Sequence, residues 1–261
     1  MSKLTDIVYA GGTDRGRMRQ QNEDSILLSE FEHSDVILLL VADGVGGHEG
    51  GAVASQLAVQ SIQESVAKSV LQAHSGGGYG ENWLSHSLQN ALLEANQAII
   101  QQQKQTSLSN MATTIVAMLI RGNDFAVCHL GDSRCYRYSE KGLLQITEDH
   151  SVLQKLLNQG KIDLQQFEES PMHHMIERAL GLSGEPEIVS YESSFTENEI
   201  CLLCSDGLTN CVSDAQIQYI LDSCGALEAC VDELITCAND NGGIDNISVV
   251  LVRKSHKDIQ G

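Results

Sequence analysis

Three aspartates stand where apolar runs stop or start, an arrangement suited to oxygen chemistry around hard cations. Asp43 closes the run VILLLVADG, Asp206 closes EICLLCSDG, and Asp245 directly precedes NISVVLV. Glu23 and Asp24 add two carboxylates in QQNEDS. Mg²⁺ and Mn²⁺ take carboxylate, carbonyl and water oxygens, and rigid strand ends hold such ligands at fixed separation. Taken singly, an Asp-Gly pair is first of all a turn signal. The residues after Asp43 change the balance: GVGGHEGG has five glycines in eight positions and leads into a helical pattern. Such a loop loses much backbone entropy on folding and suits close backbone approach to something. A nucleotide loop is the rival, but the Gly-Lys-Ser/Thr ending and the GxGxxG spacing are both missing. That leaves a metal or substrate site on the loop. Arg19, five residues before Asp24, is either a solvated charge or a planar, permanently charged fork suited to phosphate.

The elements that must position these groups are legible in outline. The runs ending at Gly44 and Gly207 read as buried strands stopping at turns, and Asn246 to Val252 reads as a strand with Asp245 at its start. Thr113 to Ile120 and Phe125 to Leu130, separated by Gly122, Asn123 and Asp124, predict a hairpin. Ala54, Leu57, Ala58, Ile62 and Val66 recur at helical steps within a helix from Gly51 to about Val70, and a second helix spans about Trp83 to Gln103. Between them HSGGGYG is a surface loop. Further helices are predicted near Asp214 to Leu221 and Leu227 to Ala238. Residues 151–181 are polar and poorly patterned, an excursion from the core. Strands interleaved with paired helices predict a mainly antiparallel α+β layer architecture.

Composition narrows the function. The chain has 261 residues, 42% of them hydrophobic, and only two prolines, which fits one continuous globular body. Sixteen Lys and Arg against 35 Asp and Glu give a net charge of -19, so nucleic acid and anionic lipid are poor partners. An anionic substrate would need local positive charge, and divalent cations supply it. MSKLTDIVYAGG carries no signal-peptide pattern and no run of about 20 apolar residues follows, which predicts a cytoplasmic protein. In that reducing compartment the eight cysteines are expected as thiols. Cys201 and Cys204 have CxxC spacing inside ICLLC, but an odd separation on a strand points them to opposite faces, and no second ligand pair accompanies them.

Six segments then occur in order: TDRGRMRQQNED (Thr13 to Asp24), LLVADGVGGHEGG (Leu39 to Gly51), MATTIVA (Met111 to Ala117), HLGDSRCYR (His129 to Arg137), LLCSDGL (Leu202 to Leu208) and GGIDNISVV (Gly242 to Val250). Together they resemble the metal-dependent protein phosphatase family, the PPM or type 2C phosphatases, in its bacterial branch. The resemblance covers about Ala10 to Val252. Each motif alone is weak, and six in order are specific. The fold it implies is a four-layer αββα sandwich, two central antiparallel β-sheets flanked by helices, forming a single domain over residues 1–261 with a flap at about 151–181 and a short tail at 254–261.

By the same resemblance, Asp43 bridges two metals, Asp206 and Asp245 complete the first, and Glu23 and the Gly44 carbonyl serve the second. Asp24 supports through water, Asp132 with Asp206 matches a third site, and Arg19 matches the arginine that grips phosphate. Two or three Mn²⁺ or Mg²⁺ ions are thus implied. So is hydrolysis of phosphoserine and phosphothreonine in proteins by water that the cations make acidic. Phosphoprotein substrates, an opposing serine/threonine kinase and a monomeric state are implied with it. A phosphoprotein-binding pseudophosphatase and a hydrolase of small phosphate esters are the alternatives. The sequence departs from the family in three places. Val45 stands where relatives with Asp-Gly-His carry a histidine, so His48 is the candidate leaving-group acid, against a helix-capping or supporting role, and metal-bound water is a further proton source. Ala112 stands where many bacterial relatives have glycine. Met172, His173 and His174 replace a basic pair in the flap, where solvated loop histidines are the simpler reading.

Overall fold

A computed structural model describes residues 6–254 apart from 46–48, 77, 107, 109–110, 169, 171, 173–174, 183 and 185. The elements run β1 (Ile7–Asp14), β2 (Ser25–Glu30), β3 (Val36–Ala42), β4 (Gly44–Val45), α1 (Glu49–Ser75), α2 (Trp83–Gln105), β5 (Ala112–Thr113), β6 (Ile115–Arg121), β7 (Asp124–Leu130), β8 (Arg134–Ser139) and β9 (Gly142–Gln145). They continue with α3 (Val152–Asn158), α4 (Leu164–Glu168), β10 (Val189–Ser194), β11 (Ile200–Cys204), α5 (Asp206–Thr209), α6 (Asp214–Asp222), α7 (Leu227–Asp240) and β12 (Ile247–Lys254). One antiparallel sheet has the order β1-β12-β11-β8-β9 and the other β10-β7-β6-β3-β2.

The two sheets pack face to face and each carries helices outside, as the αββα expectation required. The alternation of side chains along each strand builds this layering. On β3, Ile37, Leu39 and Val41 enter the core between the sheets, while Leu38 and Leu40 pack under α1 and α2. On β12, Val250 and Val252 face between the sheets, and Val249 and Leu251 face α6 and α7. Strands covered on both faces need continuous apolar sequence, which is why these runs lack polar punctuation. Each fully buried Leu, Ile or Val contributes about 1.5–3 kcal/mol. Helix α1 answers with Ala54, Ala58, Ile62 and Val66, one stripe at four-residue steps, all fully buried.

The polar excursion leaves and returns at fixed points. Ser151 caps α3 by accepting from the Gln154 N–H at 3.1 Å, and isolated bridges join Ser151 to Ile176 and Leu180 to Thr113. Its helices are short because few apolar residues recur: α3 buries Leu153 alone.

Two cysteine expectations met different outcomes. Cys201 and Cys204 do point to opposite faces, one into the core between the sheets and the other toward the helices. The expectation of thiols throughout fails at Cys224 and Cys230, which form a disulfide. The α6–α7 turn brings their Cα atoms to 5.8 Å, within bridging reach, and a compartment argument cannot see that geometry.

Candidate metal centre

Strand register brings the carboxylates to one end of the sandwich. Ser25 pairs with Ala42 and Ile115 with Leu130 in one sheet. In the other, Asp14 pairs with Ile247, and Cys204 pairs with both Val249 and Arg134. Asp24 and Asp43 therefore flank one rung, Asp206 follows the end of β11 and Asp245 precedes the start of β12 beside it, and Asp132 lies in the turn from β7 to β8. A pocket of about 410 Å³ opens there, lined by Arg19, Glu23, Asp43, Gly44, Asp132, Asp206 and Asp245 together with Val45, Thr114, Ile176, Ile244 and Asn246. Asp24 is buried and is not part of this lining. His48, His173 and His174 fall outside the described residues.

A scaffold of amides and hydroxyls holds these acids in place. The Asn246 side chain accepts from Glu23 N–H at 2.8 Å and donates to the carbonyls of Arg15 at 2.9 Å and Gln21 at 3.0 Å. One amide thereby ties the Arg15 to Glu23 loop to the start of β12. Asp245 accepts from Asn246 N–H at 2.8 Å and from Arg19 Nη2 at 2.6 Å. Asp206 Oδ2 accepts from Asn210 Nδ2 at 3.0 Å, one turn along from it. The Asp43 carbonyl accepts from Thr114 N–H at 2.9 Å and Thr113 Oγ1 at 2.8 Å, which fixes the end of β3. Sequence reasoning missed Asn246 and Thr114. Their only signals were a buried-strand amide directly after Asp245 and the paired threonines of MATTIVA.

Close backbone packing explains two of the glycines. A Cβ on Gly51 would stand 2.2 Å from Glu23 Oε2 and 2.9 Å from the Gly44 carbonyl, and one on Gly44 would stand 2.4 Å from the Gly51 backbone. The Gly51→Ala variant is expected to lose about 1–3 kcal/mol in urea unfolding, as overpacking does, and to bind Mn²⁺ more weakly because Glu23 must move.

The electrostatics show what the pocket needs. Burial, and then the charges of Asp24, Asp206, Asp132 and Asp245, hold the Asp43 carboxyl well above its ordinary range. Burial likewise pushes Asp24 up to about 7, against hydrogen bonds from Ser248 and Ser205 and with the charges of Asp206 and Asp245. Asp132 is also pushed up to about 7, by burial first and then by Asp206 and Asp149. Arg19 is opposed by partial burial, yet Asp245, then Glu23 and Asp43, hold its proton more firmly. Mutually repelling carboxylates in a low-dielectric pocket call for cations.

The residues fit divalent ions on their own evidence. Asp24 Oδ1 is buried with no hydrogen-bond partner, although Oδ2 accepts from Ser248 Oγ at 2.6 Å. The donors are all oxygen, which suits Mg²⁺ or Mn²⁺ and not a thiolate-preferring ion. Among the described residues no three Asp, Glu, His or Cys side chains close on one point. The carboxylates instead line a pocket of about 410 Å³, and Arg19 engages Asp245.

Two antiparallel sheets between helical layers, with an acidic pocket and one arginine at their common edge, define a class of fold and site. The protein phosphatase 2C family profile matches residues 12–251, and the chain belongs to that family. It is 37% identical over 247 residues to the serine/threonine phosphatase stp of Listeria innocua, covering 93% of this chain and 94% of that protein. The S. agalactiae serine/threonine phosphatase superposes with a TM-score of 0.86 at 28% identity, over 94% of this chain and 98% of that one. The catalytic domain of the serine threonine protein phosphatase PstP, solved in complex with 2 manganese ions, superposes with a TM-score of 0.76 at 34% identity, over 96% and 99%.

Proposed function

We propose that this chain removes phosphate from phosphoserine and phosphothreonine in proteins, using divalent cations held by Asp43, Asp206, Asp245, Glu23 and the Gly44 carbonyl. The observation that carries the reading is the meeting of these groups with Arg19 around one pocket, in a member of the protein phosphatase 2C family. Cations bound there would neutralise phosphoryl oxygens and make a water more acidic. The protein's own contributions are positional. Asp24 supports the cluster through its unpartnered oxygen. Asp132 with Asp206 serves a third ion. His48 is the candidate leaving-group acid. Mn²⁺ or Mg²⁺, two or three per chain, fits the oxygen donor set.

Phosphoproteins as substrates, an opposing serine/threonine kinase, a monomeric state and a cytoplasmic setting belong to the same reading. Among the described residues no helix is long and apolar enough to cross a membrane. Rates on a phosphothreonine peptide and on a small aryl phosphate, each with and without Mn²⁺, test the reading. Cation-dependent turnover of the peptide supports it, binding without turnover defines a pseudophosphatase, and turnover of the aryl ester alone defines a small-ester hydrolase.

Arg19 lines the pocket with its side chain about half exposed and paired with Asp245. With cations drawing on that carboxylate, its fork would be available to a phosphate in ground and transition states alike. Arg19→Ala is expected to raise KM by about tenfold or more, the worth of a charge-assisted hydrogen bond, with a smaller fall in kcat. Steady-state kinetics on the peptide read the split, and a fall in kcat alone would assign the arginine to the transition state.

A further inference from the structure

The turn that carries Asp132 is held from behind by a second segment that the chemistry described so far does not use. Gly131 N–H donates to His150 Nδ1 at 3.2 Å, and His150 N–H donates back to the Gly131 carbonyl at 2.9 Å. The His129 ring stacks on His150 with centroids 4.5 Å apart and planes 14° from parallel, and its Nε2 donates to the Glu148 carbonyl at 2.9 Å. On the other flank, Arg134 grips Asp149 through Nε at 2.8 Å and Nη2 at 2.6 Å. Both sides of Asp132 are thus tied to residues 148–150.

The clamp extends to the far wall of the pocket. The His150 carbonyl accepts from Glu177 N–H at 2.7 Å, and Ser151 bridges to Ile176, which lines the pocket. His150 is therefore the junction between the Asp132 turn and the segment carrying Ile176. Burial first, then the His129 ring and Arg178, lowers the His150 imidazole to about 3, so the ring is neutral and Nδ1 is free to accept.

We infer that His150 is a positioning residue for the cation at Asp132, fixing the carboxylate through the Gly131 N–H to Nδ1 hydrogen bond. The inference rests on the reading of Asp132 as a cation ligand. His150→Phe keeps a ring of similar size on His129 but leaves Gly131 N–H without its acceptor. His150→Asn restores an acceptor near the Nδ1 position and gives up the stack.

The test is calorimetric titration of chelator-stripped full-length protein with Mn²⁺ alone, with the thermal midpoint of each metal-free variant measured in parallel. Asp132→Ala should remove one Mn²⁺ site. His150→Phe should weaken that site by about tenfold or more, comparable to leaving a buried N–H unsatisfied, and leave the other sites unchanged. His150→Asn should recover most of the affinity. A wild-type titration for His150→Phe would overturn the inference. So would equal weakening of every site in both His150 variants with a matching fall in the metal-free midpoint, which marks a general structural role. An unchanged titration for Asp132→Ala would remove the reading of Asp132 on which the inference stands, and the inference with it.

Discussion

Asp206→Asn or Asp245→Asn should lower Mn²⁺-dependent turnover of a phosphopeptide by about 10³-fold or more, the scale of losing a principal charge-stabilising element. The fold should survive. Asparagine has nearly the same shape, and one amide oxygen can still accept from Asn210 Nδ2 at position 206 or from Asn246 N–H at position 245. What disappears is a negative charge that the metal-free pocket tolerates poorly, because the remaining carboxyls already repel one another. Metal-free variants should therefore melt at or above the wild-type midpoint while hydrolysis is lost. Circular dichroism and single-turnover assays with a range of Mn²⁺ concentrations measure both. Full activity in the presence of excess chelator would remove the cation from the mechanism.

Metal-free wild-type protein should lose stability as pH rises from about 5 to about 8, the reverse of an ordinary salt-bridged carboxylate. Asp24 and Asp132 are both raised from 3.8 to about 7 in the folded chain, and Asp43 is raised with them. In the unfolded chain such groups titrate near 3.9. Between these values the native state holds more protons than the unfolded state, so unfolding free energy falls with increasing pH. Above about 7 Asp24 and Asp132 are charged in the native state and their repulsion is fully present. One such group corresponds to about 3 kcal/mol between pH 5 and pH 8. Mn²⁺ added at pH 8 should restore most of the loss, since bound cations stabilise the charged form. Calorimetric midpoints across this range, with chelator and with Mn²⁺, read the effect. Rising stability with pH in the chelated protein would contradict the crowded-carboxylate pocket.

Different parts of this molecule were legible in the sequence for different physical reasons. β3, β11 and β12 are buried on both faces, so continuous apolar runs announced them, and each run met its aspartate at the end that forms the pocket. α1 showed its buried stripe at helical spacing. β1 escaped notice because Gly11 and Gly12 interrupt its pattern. Added Cβ atoms there would stand 2.9 Å from Leu28 Cδ1 and Val231 Cγ1, so packing removes the side chains that mark a strand. β10 is mostly exposed at a sheet edge, and its VSYESS sequence carries no alternation to read.

Within the site, single residues divide the same way. Asp43, Asp206 and Asp245 could be chosen from strand ends alone. Asp132 and the Gly44 carbonyl entered only through the family resemblance, because nothing local separates a GDS turn or one glycine among five from ordinary loop chemistry. Asn246 and Thr114 act through main-chain atoms distant in sequence, which no local pattern encodes. His150 is similar: its partner Gly131 lies 19 residues away, and the antiparallel β8–β9 pairing folds the chain back to bring the two together.

The most direct measurement is an anomalous difference map from crystals grown in Mn²⁺. Strong peaks inside the pocket bounded by Asp43, Asp206, Asp245 and Glu23, with Arg19 turned away from Asp245, are the predicted result. A map with no peak among those carboxylates, in protein that still hydrolyses the phosphopeptide, would contradict the account.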